Sequence, residues 1–87
     1  MNAKDWWTTV TNCTKSSTPA SNSIAVFSGN SNNTFGHMVY VEKVENGNVY
    51  FTEANWSGST NGVLKSATIS QFESRGPGSI YGYLILK

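Results

Sequence analysis

His37, Glu53 and Asn55 are the residues of this chain whose types and spacing could support catalysis. An imidazole can take a proton from a nucleophile near neutral pH, and a carboxylate and a carboxamide can hold its ring in the required tautomer. Glu53 and Asn55 are two residues apart, so on a β-strand their side chains point to the same face. The three groups can act together only if His37 lies on that face as well.

The loop of a predicted β-hairpin decides that question. Two β-rich runs, 37–44 and 49–56, flank the sequence ENGN, which is a strong hairpin signal. A two-residue loop would set His37 opposite Trp56, on the face away from the other polar groups. A three-residue loop with its last residue left-handed would set His37 opposite Asn55, with all three polar groups on one face. The sequence allows both loops, and we favour the three-residue loop because it gives the clustered polar groups partners.

The rest of the chain predicts an α+β layout, with a helix first and then about five antiparallel strands in a curved sheet. The helix is predicted over 3–12 with Asn2 as its cap, and the turn-rich sequence 13–23 is expected to form a surface connection. SQFESR predicts one helical turn, in which Ser70 is the cap and Glu73 follows three residues later. The further strands are predicted at 24–27, 64–69 and 79–86.

Composition excludes several classes of function. The chain has 87 residues, enough for one small domain, and its formal net charge of +1 gives no basic field for nucleic acid or anionic lipid. No apolar run is long enough to span a membrane, and the opening MNAKDWW does not read as a signal peptide. Cys13 is the single cysteine, so no internal disulfide and no zinc site are expected, and we predict neither a metal nor a cofactor.

The sequence GHMVYVEKVENGNVYFTEANW, which runs from Gly36 to Trp56, resembles the CHAP family. Members of this family are cysteine- and histidine-dependent amidohydrolases and peptidases that cut bacterial peptidoglycan. They show Gly-His before alternating apolar residues, then an acidic and glycine turn, and then a strand that ends in Glu-x-Asn-Trp. The likeness extends to NAKDWW, TPASNSIAVF and YGYLIL, so it covers nearly all of the chain.

The resemblance implies roles for five residues. His37 would be the general base for a cysteine thiol, and Glu53 and Asn55 would orient its imidazole and stabilise the charged form. A nearby imidazolium favours the thiolate, which is the species that attacks an amide carbonyl. Gly36 and Trp56 would line the substrate groove.

The resemblance also implies a fold and a biological setting. The fold would be a papain-like fragment, with a short N-terminal helix packed on a curved antiparallel sheet of about five strands. The activity would be that of an N-acetylmuramoyl-L-alanine amidase or an endopeptidase, acting on the stem peptide or cross-bridge of peptidoglycan. The protein would be secreted or associated with the cell wall, and of bacterial or phage origin.

The nucleophile is expected outside the printed sequence. In the family it precedes the Asn-Ala-x-x-Trp segment, which begins here at Asn2, so its place would be upstream of Met1. We therefore predict that residues 1–87 are a single incomplete domain, the C-terminal two thirds of a CHAP domain, and inactive alone. Cys13 is disfavoured as the nucleophile because it follows the predicted helix and precedes a turn that contains proline.

Two further expectations follow from an incomplete domain. A sheet face left open by the absent N-terminal helix would favour self-association of the chain. The alternative to an enzyme is a non-catalytic module, derived from a CHAP domain, that binds the cell wall or has a structural role.

Overall fold

A computed structural model describes residues 6–9, 13–31, 36–52, 64–76 and 78–86. In these ranges the elements are α1 (Trp6–Thr9), β1 (Cys13–Ser16), β2 (Ser23–Phe27), β3 (His37–Glu45), β4 (Asn48–Thr52), β5 (Lys65–Thr68), α2 (Ile69–Ser74) and β6 (Ile80–Leu86). The strands form one antiparallel sheet in the order β1-β6-β2-β3-β4-β5. The predicted α+β class is confirmed.

The described part of the sheet has six strands, and the prediction of about five was wrong. The first four residues of the expected surface connection form β1, which pairs with the end of β6 from Cys13 opposite Leu86 to Ser16 opposite Tyr83. These four residues show no alternation of apolar and polar side chains over the strand, and main-chain pairing with β6 is what makes them a strand. The helix predicted over 3–12 overlaps α1 at 6–9, and its other positions lie outside the described residues.

The β3–β4 hairpin turns through a two-residue loop, so the favoured three-residue loop was wrong. Glu45 pairs with Asn48, and the asparagine and glycine between them have φ angles of 54° and 78°. Two left-handed residues in succession are what a type I′ turn requires, and Asn-Gly tolerates them best. This loop sets Val44 opposite Val49, whereas a three-residue loop would have set Val44 opposite the polar Asn48.

Glu42 is an extra residue in β3, without a partner on β4, at a shift in the pairing register. On one side of the shift Val44 pairs with Val49, and on the other side Val41 pairs with Phe51. In a regular strand Val41 and Val44, which are three positions apart, would point to opposite faces, although their partners are two apart and share a face. The β-bulge at Glu42 lets all four apolar side chains point to the same side.

One face of the sheet, called the core face below, packs against Phe72 of α2. The ring of Phe72 lies 4.9 Å from that of Phe51, 5.8 Å from that of Phe27 and 6.3 Å from that of Tyr83, measured between centroids. Phe72, Phe27 and Tyr83 are fully buried. The remaining buried members of this cluster are Phe51, Ala25, Val39, Val41 and Val49. Aromatic rings at such distances stabilise the core beyond the area that they bury.

The helix α2 is capped by Thr68, so the predicted cap at Ser70 was wrong. Thr68 Oγ1 accepts a hydrogen bond from the backbone N–H of Gln71 at 3.2 Å, and Gln71 Oε1 accepts one from the backbone N–H of Thr68 at 3.2 Å. This reciprocal pair is a capping box. Glu73, which was expected to complete the box, instead accepts a hydrogen bond from the hydroxyl of Tyr83 at 2.8 Å.

The large apolar side chains that are exposed in the described ranges are Leu64, at 57%, and Tyr81, at 43%. Leu64 immediately precedes β5 at one edge of the sheet, whereas Tyr81 lies in β6 near the other edge. Two separate side chains do not make an open apolar face, so the described residues do not support the expected self-association. None of their helices is long and apolar enough to cross a membrane.

Tyr83 makes the free energy of unfolding depend on pH in the alkaline range. Its burial, together with the hydrogen bond to Glu73 and the charge of that carboxylate, raises the pKa of the Tyr83 hydroxyl well above its ordinary value. The unfolded chain releases this proton above about pH 10 while the native state keeps it, so the contribution to the free energy of unfolding should fall by about 1.4 kcal/mol per pH unit there. Urea unfolding between about pH 8 and about pH 11 measures this fall.

Tyr83→Phe should remove that part of the pH dependence, although it also loses the bond to Glu73. Tyr81→Phe, which changes an exposed side chain on the same strand, is the matched control and should retain the full decline. Equal slopes against pH in the Tyr83→Phe variant and the unaltered protein would contradict this account.

Candidate functional site

His37 is the first residue of β3, and its side chain is half-buried. It pairs with Phe27 of β2, and directly opposed residues of an antiparallel pair project to the same face. Phe27 belongs to the core cluster, as does Val39, two residues after His37. The imidazole therefore lies on the core face, at the end of the sheet where β3 begins.

Gly36 directly precedes this histidine and is buried, with a φ angle of 82°. Glycine adopts this left-handed conformation without steric cost because it has no Cβ. The turn at Gly36 sets the direction in which the chain enters β3. Gly36 is therefore expected to position the backbone of His37.

The bulge gives this end of β3 the offset that the three-residue loop was expected to give. Beyond Glu42, Val41 lies opposite Phe51 and Tyr40 lies opposite Thr52. A two-residue loop and one extra residue in β3 thus produce the same pairing as a three-residue loop without a bulge. His37 and Phe51 consequently share the core face.

Glu53, Asn55 and Trp56 lie outside the residues that the structure describes. Their grouping with His37 stays a prediction, and so does the substrate groove at Gly36 and Trp56. Within the described ranges, no three histidine, cysteine or acidic side chains come together in a group that could hold a metal ion.

The bulge is the feature of this site that sequence reasoning missed, although the sequence carries a signal for it. In β3 the apolar residues Val39 and Val41 are two positions apart, but Val41 and Val44 are three positions apart, which breaks the two-residue period of a strand. In β4 the partners Val49 and Phe51 keep that period. When the apolar period is broken in one strand and kept in its partner, the broken strand is predicted to contain one extra residue.

Cys13 is too far from His37 to exchange a proton with it directly. The strands β6 and β2 lie between β1 and β3, which makes a lateral separation of about 14 Å. Cys13 is level with the start of β2, whereas His37 pairs with Phe27 at its end, which adds about 15 Å along the strands. Its partner Leu86 is three positions from the core-face residue Tyr83, so Cys13 also projects from the opposite face.

An open cavity of about 780 Å³ lies between α2 and the start of β6. Its lining is formed by Ile69, Ser70, Glu73, Ser74, Gly78, Ser79 and Ile80. Ile80 pairs with Phe27, and Phe27 pairs on its other side with His37. Ile80, Phe27 and His37 thus lie side by side on three neighbouring strands. The cavity opens at Ile80, two strands away from His37.

Gly36→Ala should lower the free energy of unfolding by about 1–2 kcal/mol, because a Cβ disfavours a left-handed backbone. It should also displace His37, which follows in sequence. Urea unfolding measures the first effect, and the ¹H–¹³C NMR signals of the imidazole report the second.

Gly47→Ala is the matched control, because Gly47 has a similar φ angle of 78° and nothing within 4 Å of the added Cβ. It lies at the other end of β3 and should cost a similar free energy while leaving the imidazole signals in place. Unchanged imidazole signals in Gly36→Ala would show that Gly36 does not position His37.

Comparison with known proteins gives one family. The model of the CHAP domain matches residues 1–55, a span that contains His37, Glu53 and Asn55. No curated protein and no solved structure matches the chain. Because the matched span covers more than half of the 87 residues, the chain belongs to the CHAP domain family.

Proposed function

We propose that this chain supplies the base side of a peptidoglycan-hydrolysing site, in which His37 takes the proton of a cysteine thiol. Membership of the CHAP family supports a peptidoglycan hydrolase-type function. The observation that carries the proposal is the register beyond the bulge, with Val41 opposite Phe51 and His37 on the core face.

In this proposal the β3–β4 ladder continues past Thr52 in the register of its last described pairs. His37 would then lie opposite Asn55, and Val39 opposite Glu53. Positions 53 and 55 alternate in phase with Phe51, which is on the core face. The imidazole, the carboxylate and the carboxamide would then project to one side of the sheet.

The chemistry needs each of these groups. His37 removes the thiol proton, and the thiolate attacks the carbonyl carbon of an amide. The amide C–N bond breaks, the imidazolium returns the proton to the leaving amine, and water then hydrolyses the thioester. Glu53 and Asn55 would fix the tautomer of His37 and stabilise its charged form. Gly36 and Trp56 would border the groove that receives the substrate.

The thiol in this proposal comes from polypeptide outside the 87 printed residues. Cys13 is the single cysteine of the sequence, and it lies on the far side of the sheet from His37. A helix that carries the thiol and docks beside His37 would complete a papain-like arrangement. On this proposal the 87 residues alone have no thiol beside His37 and therefore do not hydrolyse peptidoglycan.

The substrate class in the proposal is the stem peptide or cross-bridge of peptidoglycan, cut by an amidase or an endopeptidase. The corresponding location is outside the cell or at the cell wall. Family membership supports both statements.

The role of His37 can be tested by hydrolysis of purified peptidoglycan, measured as release of new amino groups. The protein assayed joins this chain to the thiol-bearing segment of its domain. His37→Ala should lower kcat/KM by about 10²–10⁴-fold, which is the usual contribution of a general base. Met38→Ala, which changes the next residue on the opposite face of β3, should stay within a few-fold of the unaltered protein.

The 87-residue chain assayed alone should release no amino groups. Hydrolysis by the chain alone that disappears in Cys13→Ala would refute the assignment of the thiol. Full activity of the joined protein after His37→Ala would refute the base, whereas a joined protein that binds peptidoglycan but releases no amino groups would be better described as a non-catalytic module that binds the cell wall.

The proposed register can be tested without any activity. In a Cys13→Ser background, the pair His37→Cys and Asn55→Cys should oxidise to a disulfide, because opposed residues at such a non-hydrogen-bonded position have Cα atoms about 4.5 Å apart, within the range that a disulfide spans. The pair His37→Cys and Trp56→Cys is the matched control and should stay reduced, because position 56 projects to the other face. Intact mass after thiol alkylation distinguishes the two states. A disulfide in the pair at positions 37 and 56, but not in the pair at positions 37 and 55, would show that His37 projects to the face opposite Glu53 and Asn55.

A further inference from the structure

Two residues that precede β2 bind the backbone of β3 on both sides of its bulge. The hydroxyl oxygen of Ser21 accepts a hydrogen bond from the backbone N–H of Val44 at 2.9 Å. The backbone N–H of Asn22 donates to the carbonyl oxygen of Val41 at 2.9 Å. Glu42, the extra residue, lies between these two points.

We propose that Ser21 and Asn22 are positioning residues for the histidine: they hold the bulge in β3 and thereby fix the sheet face on which His37 lies. They form a clamp, defined here as these two residues with their bonds to Val44 and Val41. The significance of the clamp for catalysis rests on the proposed function, whereas its effect on the register does not.

The geometry explains why such a clamp is needed. The regular pairing of β2 with β3 ends at Ser23 opposite Val41, so the stretch of β3 that contains the bulge extends beyond β2. In an antiparallel ladder each residue directs both main-chain groups to the same side, and consecutive residues alternate between sides. Glu45 and Asn48 pair across the two-residue loop, so Val44 directs its N–H away from β4. Ser21 meets that N–H at the place where β2 no longer does.

Asn22 is held in an unusual backbone conformation to make its contact. Its φ angle is 59°, in the left-handed region that few residues other than glycine and asparagine adopt readily. Its side-chain oxygen also accepts a hydrogen bond from the hydroxyl of Tyr40, on the other side of the bulge from the hairpin loop. The clamp therefore contacts β3 at Tyr40, Val41 and Val44, a stretch that includes the register shift.

The alternative to the bulge is a regular strand with the same hairpin loop. With Val44 still opposite Val49, loss of the extra residue from the ladder would rotate Val41 and every residue before it to the opposite face. The imidazole of His37 would then leave the core face and the neighbourhood of Phe27. In a regular strand with Val44 opposite Val49, the carbonyl oxygen of Val41 would point toward β4, so its bond to Asn22 exists only in the bulged form. That bond stabilises the bulged form over the alternative, and the bond of Ser21 to Val44 holds the adjacent backbone in place.

The clamp can be tested by NMR on the 87-residue chain. Ser21→Ala removes the acceptor for the N–H of Val44 and should raise the exchange rate of that amide roughly five- to tenfold, the loss expected for one hydrogen bond. Ser21→Thr keeps a hydroxyl and should restore protection. Ser17→Ala changes an exposed serine of the same loop, for which the described residues show no hydrogen bond to β3, and should have no effect.

The second arm measures where His37 lies. Ser21→Ala combined with Asn22→Ala should produce a second set of signals for residues 37–41. In that set, nuclear Overhauser effects between the rings of His37 and Phe27, and between Tyr40 and Thr52, should be lost. Ser21→Thr combined with Asn22→Gly keeps a hydroxyl and a residue that tolerates a positive φ angle, and should return the chain to a single set.

A general loss of stability would raise exchange for all core amides alike, whereas loss of the clamp raises it first at Val44. Wild-type exchange at Val44 in Ser21→Ala would overturn the proposal. So would a single signal set with the wild-type ring contacts in the double alanine variant. If that double variant does not fold, the comparison of Asn22→Ala with Asn22→Gly, measured by the same signal sets and ring contacts, decides alone. These outcomes do not depend on hydrolysis, so they stand even if His37 proves not to be a base.

Discussion

In the β3–β4 hairpin, the apolar residues of β3 and β4 do not have the same spacing, and one unpaired residue in β3 lets them face each other. Val44 and Val49 must face the core beside the type I′ turn, and Val41 and Phe51 must face it farther along. A regular ladder satisfies only one of these pairs, because side chains alternate strictly. The extra residue Glu42 satisfies both, and the face of every earlier residue in β3 follows from it.

The core face gives this register its energetic basis. Phe72 from α2 contacts the rings of Phe27, Phe51 and Tyr83, which lie on three different strands. A slip of one residue in β3 or β4 would take a valine or a phenylalanine out of that cluster, and burying such a side chain is worth about 1.5–3 kcal/mol. The same packing that stabilises the sheet thus holds His37 at the margin of the core, on its inner side.

This arrangement separates His37 from the single thiol of the chain. Cys13 and His37 lie on strands that β6 and β2 keep apart, and they project from opposite faces. A sheet is a rigid spacer because its strands are joined by regular main-chain hydrogen bonds. Cys13 and His37 therefore do not share a site in the described part of the sheet.

The sequence by itself determined the hairpin, the place of His37 at the start of a strand, the α+β order of elements and the likeness to the CHAP family. These depend on turn chemistry, on side-chain alternation and on motifs, all of which are local. The tertiary structure decided the loop length, the bulge at Glu42, the sixth strand at Cys13–Ser16 and the cap at Thr68. The loop, the bulge and the edge strand depend on which main-chain groups and apolar side chains meet across the sheet, and the cap on where β5 ends. The partner of the edge strand, β6, is distant in sequence, and the change of phase that signals the bulge is seen only when β3 is compared with its partner β4. The pattern of one segment taken alone does not specify these features.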